Sequence, residues 1–340
     1  MPPEIGNHQL INLADFERAA EGALDPMAWH YFRAGAGDER TLRENRAAFE
    51  RRRLLPRVLV DVGRRSLATT VLGRPVGWPV LVAPMALHGL ACSDCEAAAA
   101  RAAAAMDTVL CVSTLSNLPL ELVARAAAAG YDALVVTVDA PLLGRREGAV
   151  RHGLRLPPHL GLGNFPLDVG AAMLAHRNAA DSSLAAHFAV TSDPSVTWRD
   201  LGWLRGLSPL PVVLKGVLRA DDARRAADEG AAAVVVSNHG GRQLDGAVAS
   251  LDALPAVADA AGDRLEVLMD GGIRRGTDVL IALALGARAV LLGRPVLWGL
   301  AVGGETGAAQ VLALLRDEVD LALALAGCTS PAEVSADLVG

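Results

Sequence analysis

Only two tyrosines occur in 340 residues, with five phenylalanines and five tryptophans, so aromatic residues make up 4% of the chain. Any site that needs phenols must find them in Tyr31 and Tyr131. Excess positive charge is also lacking: 32 lysines and arginines against 38 acidic residues leave a net charge of -6. That balance excludes the basic footprint of a nucleic-acid binder. The one dense basic cluster, Arg51-Arg52-Arg53, reads as a solvated helix end. No uncharged apolar run reaches the roughly 18 residues of a transmembrane helix; Val279 to Val290 comes nearest and contains Arg288. Met1 to Leu10 shows no basic segment followed by an apolar one, so no signal peptide is expected, and Asp337 to Gly340 is not a peroxisomal address. A cytoplasmic location is the expectation. Four cysteines fit a reducing compartment. Cys92 and Cys95 form one C-x-x-C pair, but Cys111 and Cys328 supply no second and no histidine cluster completes a zinc site, so no metal is expected.

What is present is a large apolar fraction, 52%, with 21% charged residues, a composition that argues against disorder. A chain of this length holds about two domains or one large α/β barrel. Residues 1 to about 75 read as a helical cap. Asn12 and Asp15 start a helix through Ala20, and Pro26 opens another that carries His30, Tyr31 and Phe32 before the Gly35-Ala36-Gly37 break. Over residues 76 to 340, short apolar runs alternate with alanine-rich helices, the pattern of a parallel sheet built from β-α units. The runs are Pro79 to Pro84, Thr108 to Ser113, Tyr131 to Asp139, Pro211 to Lys215, Ala232 to Ser237, Leu265 to Asp270 and Ala287 to Gly293. Being continuous rather than alternating, they read as strands buried on both faces. Helices are expected at Asp94 to Ala105, Leu120 to Ala129, Ala220 to Gly230, Ser250 to Ala261 and Gly276 to Leu285.

Successive strand ends lie about one unit apart, by the roughly 31 residues per unit of a (β/α)8 barrel. Only Asp139 to Lys215 is more than twice that long. Its Pro157-Pro158-His159 and Gly161-Leu162-Gly163 read as a long loop, at about 140–210, of the kind that forms lids. The expected architecture is therefore a TIM-type (β/α)8 barrel with a helical cap, in which seven strands are recognisable and one β-α unit is lacking.

Reactive residues collect at the carboxyl ends of these runs, where β/α barrels build their sites: Asp139, Lys215, His239 with Arg242, Asp270 and Arg294. A lone polar residue after a strand is ordinarily a cap or turn; a series of strands ending this way points to a site. Asp270-Gly271-Gly272-Ile273-Arg274 and Gly293-Arg294 suit phosphate, which barrels bind on backbone N–H groups at these ends, and each arginine adds a charged fork. The segment Ser237-Asn238-His239-Gly240-Gly241-Arg242-Gln243-Leu244-Asp245 is the most informative. Its histidine can take a proton near pH 7, and an arginine three residues on can grip a carboxylate. One loop can then orient an acid and deprotonate its neighbouring carbon.

Ser237 to Asp245 resembles the signature of the FMN-dependent 2-hydroxy-acid oxidase and dehydrogenase family, which includes glycolate oxidase, lactate oxidase, mandelate dehydrogenase and hydroxymandelate oxidase. The likeness extends through Tyr31 to Asn45, Val82-Ala83-Pro84, Thr137-Val138-Asp139 to Gly144-Arg145-Arg146, Leu214-Lys215-Gly216-Val217 and Asp270 to Asp278. It implies a (β/α)8 barrel with FMN at its carboxyl mouth, oxidising an L-2-hydroxy acid to the 2-oxo acid. By matching position, His239 is implied as the base and Asp139 as its partner. Arg242 and Arg146 would bind the carboxylate and Tyr31 the substrate. Lys215 would lie by the flavin, stabilising its reduced anionic ring. Pro84, Met85 and Ala86 would present backbone to the flavin, and Ser113 and Thr137 would touch its ring. Asp270, Gly272, Arg274, Gly293 and Arg294 would hold ribityl and phosphate, with Ser237 and Gly271 completing the cofactor set. The residues fit departure of the α-hydrogen as proton or as hydride. Family members are often tetramers, so a homo-oligomer is implied.

The family places a strand with a Gln-x-Tyr pair between those matching Ser113 and Asp139; its glutamine faces the flavin and its tyrosine is a second active-site phenol. Here that interval holds one β-α unit and no Gln-x-Tyr. Tyr31 matches one phenol, Tyr131 starts the next strand, and no third tyrosine remains. The barrel is expected to close with seven strands, to borrow one such as His187 to Thr191, or to stay open with unpaired edges. Weakened FMN binding and reduced or altered turnover are expected, the extreme being a degenerate member kept for binding. Leu115, with His88 and Leu143 at the expected pocket rim, favours a hydrophobic or aromatic hydroxy acid. Ala86 matches the oxidases, so oxygen is favoured over another acceptor, the dehydrogenase alternative.

Overall fold

The computed structural model describes residues 10–118, 130–154, 156–157, 159–164 and 193–340. Three helices come first. α1 (Leu13–Ala23) is capped by Asn12, whose side-chain oxygen accepts from the Asp15 amide, a contact of ~1 kcal/mol. α2 (Pro26–Arg33) has proline in its first turn and Asp25 capping the Met27 amide. Both starts match the sequence reading. α3 (Arg40–Glu50) gave no start signal: its N-cap, Glu39, is left-handed and makes no capping hydrogen bond.

A hairpin of β1 (Thr69–Val71) and β2 (Arg74–Val76) follows, then six parallel strands: β3 (Val80–Val82), β4 (Leu134–Thr137), β5 (Val212–Val217), β6 (Ala233–Val236), β7 (Glu266–Asp270) and β8 (Ala289–Leu292). They curl in the order β3-β8-β7-β6-β5-β4. The expected strand at Thr108 to Ser113 shrinks to one parallel bridge, Leu110 to Val82, which adds a seventh position beside β3. The helices packed outside are α4 (Cys95–Ala105), α5 (Glu147–Arg151), α6 (Trp198–Gly206), α7 (Ala220–Asp228), α8 (Ser250–Ala261), α9 (Gly276–Ala284) and α10 (Arg294–Leu325), the last broken at Gly303 and Gly304. None of the described helices is long and apolar enough to cross a membrane.

Every one of the parallel strands except β4 feeds two cores, as their unbroken apolar character requires. Val212, Leu214, Val234, Val236, Met269 and Val290 pack outward on the helices. Val213, Ala233, Val235, Leu268, Ala289 and Leu291 fill the barrel, with Val71 and Val76 of the hairpin closing its lower end.

Among the described residues the barrel is open on one flank. Val135 is in register with Val213, so it faces inward, yet it is 37% exposed while Val213 is 2% exposed. Across the opening, Val109 precedes outward-packed Leu110 and is 36% exposed. In a closed barrel such inward positions form filled layers. Among the described residues no strand stands between Leu110 and β4, which is where the sequence is one unit short. The expected helix at Leu120 to Ala129 and the spare run at His187 to Thr191 lie outside the described residues.

Candidate active site

A cavity of about 590 Å³ opens at the carboxyl ends of the strands. Its base loop leaves β6 at Ser237. Asn238 and Asn45 of α3 exchange buried amide hydrogen bonds of 2.8 and 2.7 Å, and Asn238 Oδ1 also accepts from the Gly241 amide at 3.0 Å. This brace surrounds His239, whose φ of 58 is a left-handed conformation uncommon for non-glycine residues. His239 Nδ1 lies 3.0 Å from Asp139 Oδ1. Burial pushes the imidazole pKa down, the Asp139 hydrogen bond opposes this, and the Lys215 charge adds to the lowering. The net direction favours a neutral ring; with an Nδ1–H donated to Asp139, Nε2 is left as a proton acceptor.

Lys215 pairs with Asp270 at 2.8 Å, not with Asp139, and donates to Ser237 Oγ at 3.0 Å. Burial works against the ammonium, but the charges of Asp270 and Asp139 hold its pKa above the usual lysine range. The other Asp270 carboxylate oxygen is buried without a hydrogen-bond partner, although Asp270 lines the cavity. An orphaned acceptor of this kind calls for a ligand hydroxyl.

Four arginines face the same space: Arg146, Arg242, Arg274 and Arg294. Arg242 donates to the carbonyls of Tyr31, Phe32 and Ala34, and Arg294 to those of Phe32, Gly240 and Ala34. Arg274 donates to the Ile273 carbonyl and lies 4.7 Å over the Trp298 ring. Burial, reinforced by neighbouring guanidinium charges, depresses Arg146 and Arg294. Arginines stay charged in proteins, so a buried cluster of guanidiniums suits an anionic ligand. Gly271 and Gly272 have φ 97 and 89, and a Cβ on Gly272 would overlap the Asn45 carbonyl. Buried cations, an exposed glycine backbone and an orphan acceptor together fit a phosphate-bearing polyhydroxyl such as FMN, with cationic sites to spare for a carboxylate.

The remaining expected residues are distributed around the same space. Tyr31 (3% exposed) lies under the Arg242 guanidinium, 5.1 Å from ring centroid to Cζ. Pro84, Met85, Ala86, Ser113, Thr137 and Gly293 line the cavity, and Leu115 and Leu143 also face in. Asp139 and Ser237 stand behind the wall, reached through His239 and Lys215. His88 is a correction: expected at the rim, it is buried (1% exposed), its amide N–H directed to Glu96. Asn45, Asn238 and Gln243 were not singled out by the sequence reading. All three lie inside segments it quoted, but an amide carries no motif of its own.

The family model for FMN-dependent dehydrogenases matches residues 20–126 and 118–340. The two pieces meet at 118–126, within the interval that is one unit short. The chain is 51% identical to an L-lactate oxidase of Nostoc sp., covering 94% of this chain and 95% of that one. The alignment runs to 348 positions, more than this whole chain contains, so the relative carries a stretch absent here. The chain is 42% identical to 2-hydroxyacid oxidase 1 of Homo sapiens, over 97% of this chain and 96% of that one. A crystal structure of mandelate oxidase with (S)-4-hydroxymandelic acid superposes with a TM-score of 0.92 at 42% identity, covering 97% of this chain and 98% of that one. The chain thus belongs to the FMN-dependent dehydrogenase family, with FMN as its cofactor and the 2-hydroxy-acid oxidases and dehydrogenases as its enzyme class.

Proposed function

We propose that the chain oxidises an L-2-hydroxy acid with a hydrophobic or aromatic substituent to the 2-oxo acid, with oxygen as final acceptor. The observation that carries this is an Asp139-bound His239 that lines the same cavity as the Arg146 and Arg242 guanidiniums. A carboxylate held by those arginines places its neighbouring carbinol near His239. FMN, when bound, supplies the acceptor for the two electrons released. His239 takes at Nε2 one of the two protons released, Asp139 stabilises the imidazolium that results, and the second hydrogen leaves with the electron pair or to solvent. Tyr31, packed on Arg242, orients the substrate. Lys215 fixes positive charge beside Ser237 and Asp270, where the flavin ring and ribityl chain would be held. Gly271, Gly272, Arg274, Gly293 and Arg294 would hold the phosphate, and Pro84, Met85, Ala86, Ser113 and Thr137 the ring.

Leu115 and Leu143 on the wall support an apolar substituent. Relatives named as L-lactate oxidase and 2-hydroxyacid oxidase 1 support the oxidase reading. The open flank supports weaker FMN binding and slower turnover than in a closed barrel. Titrating the apo protein with FMN and then adding lactate or mandelate without oxygen tests both statements. Bleaching of the flavin by either acid, with re-oxidation on admitting air, is expected. Tight FMN binding with rapid bleaching would overturn the weakening; bound FMN that no 2-hydroxy acid bleaches would overturn the activity.

A further inference from the structure

We infer that Gln243 is a positioning residue that locks the strand-end segment 139–146 onto the base loop, and thereby sets both the His239–Asp139 pair and the Arg146 arm of the carboxylate clamp. The inference rests on the proposed function for what the two groups do, but not for the lock itself.

The side-chain amide of Gln243 bridges two stretches of chain. Its Nε2 donates to the Asp139 carbonyl at 3.0 Å and the Leu142 carbonyl at 2.9 Å. Its Oε1 accepts from the Gly144 amide at 3.0 Å and from Arg146 Nη2 at 3.4 Å. A glutamine amide has two donor hydrogens and two acceptor lone pairs, and all four are spent on segment 139–146. Gln243 lines the cavity, yet no hydrogen-bonding capacity is left for a ligand, which separates a positioning role from a catalytic one. Two further contacts press the same surfaces together. Arg146 Nε donates to the Arg242 carbonyl at 3.3 Å. A Cβ on Gly144 would overlap that carbonyl and lie 2.6 Å from the Gln243 Cα, so only glycine permits this approach.

The segment needs such a fastening. Its strand, β4, borders the open flank, where Val135 and Val138 are exposed, and among the described residues it pairs only with β5. In a closed barrel a neighbouring strand would steady the Asp139 end from the other side; here the Gln243 amide is the side chain that makes most of its hydrogen bonds to the base loop. The charged groups facing His239 are Asp139 and Arg146 from this segment and Lys215 from β5. Movement of the segment therefore changes two of the three.

Gln243→Leu removes all four hydrogen bonds at similar volume. Gln243→Glu keeps the acceptors for Gly144 and Arg146, loses both donors, and adds a negative charge near the pair. If the lock sets the pair, Gln243→Leu weakens the bond from His239 to Asp139, and the low-pH limb of kcat/KM moves down by roughly half a pH unit. Gln243→Glu moves it up, because added negative charge favours the imidazolium. KM for the hydroxy acid rises in both, roughly tenfold, the scale of one lost charge-assisted contact. Limited digestion of the FMN-loaded protein with trypsin gives a readout that needs no activity: cleavage after exposed Arg145 or Arg151 speeds up several-fold in both variants while cleavage elsewhere is unchanged. Limbs that stay fixed or move in the same direction, or cleavage at the wild-type rate, overturn the lock. Wild-type protein that digests as described but reduces no flavin would instead overturn the proposed function and leave digestion to decide the lock.

Discussion

Asp139 reaches His239 across an intervening strand. The two residues are 100 positions apart, at the ends of β4 and β6, and their side chains meet at 3.0 Å over β5. The strand between them carries Gly216 at the crossing point, where a Cβ would lie 2.6 Å from the Asp139 Cβ. A glycine at φ 112 clears the path for the carboxylate.

Asp139→Asn keeps the size of the side chain and removes its charge. The His239 pKa, already lowered by burial, loses the contact that opposes the lowering and falls further. The low-pH limb of flavin reduction then moves to lower pH, and the maximal rate drops on the order of 10²-fold. Stopped-flow reduction from pH 5 to 9 measures both. Gly216→Ala, which pushes Asp139 aside, is expected to reproduce the limb shift.

The open flank predicts unequal costs for equal substitutions. Val213→Ser buries a hydroxyl in a filled layer and is expected to cost about 2–3 kcal/mol. Val135→Ser, in the next position of the same layer but exposed, should cost less than about 1 kcal/mol. Urea unfolding midpoints of the two variants compare them directly. Equal losses would mean that the flank is closed in solution.

His88 makes stability depend on acid. Both its ring nitrogens are buried without hydrogen-bond partners, and burial depresses its pKa, with the charge of Glu96 in partial opposition. A depressed histidine contributes stability above its unfolded value, about 6.5. That stability is lost as the pH falls from there toward the folded pKa, because the unfolded chain binds a proton the folded one refuses, at up to about 1.4 kcal/mol per pH unit. The Tm of wild type should therefore fall between pH 7.5 and 5.5, and His88→Met should flatten that dependence.

Gly272→Ala places a methyl against the Asn45 carbonyl at a φ that disfavours side chains. Such strain costs roughly 1–3 kcal/mol. The base-loop brace through Asn45 and Asn238 is disturbed with it, so FMN retained after gel filtration should fall well below wild type. Retention at the wild-type level would remove Gly272 from the phosphate cradle.

Much of the site was legible in the chain. Strand ends at Lys215, His239 and Asp270 stand out because a parallel strand buried on both faces is uniformly apolar, and its first reactive residue marks the barrel mouth. The deficit of one β-α unit was legible as well, from the spacing between Ser113 and Asp139. Other features left no local trace. α3 starts without a cap signal. His88 has the composition of a rim residue and the burial of a core one. Nothing in the chain near Lys215 names its partner, and only the curl of the strands brings Asp270 to it.

The sequence by itself determined the periodic alternation of strand and helix, the order of reactive residues and the absence of one unit, since each of these is carried by neighbours along the chain. Tertiary structure alone decided which carboxylate meets His239, which meets Lys215, that inward-facing Val135 and Val109 are exposed, and that Gln243 spends its amide on segment 139–146. Those outcomes depend on distances between residues far apart in sequence, which are fixed by how the strands curl and by which side chains the packed backbone leaves room for.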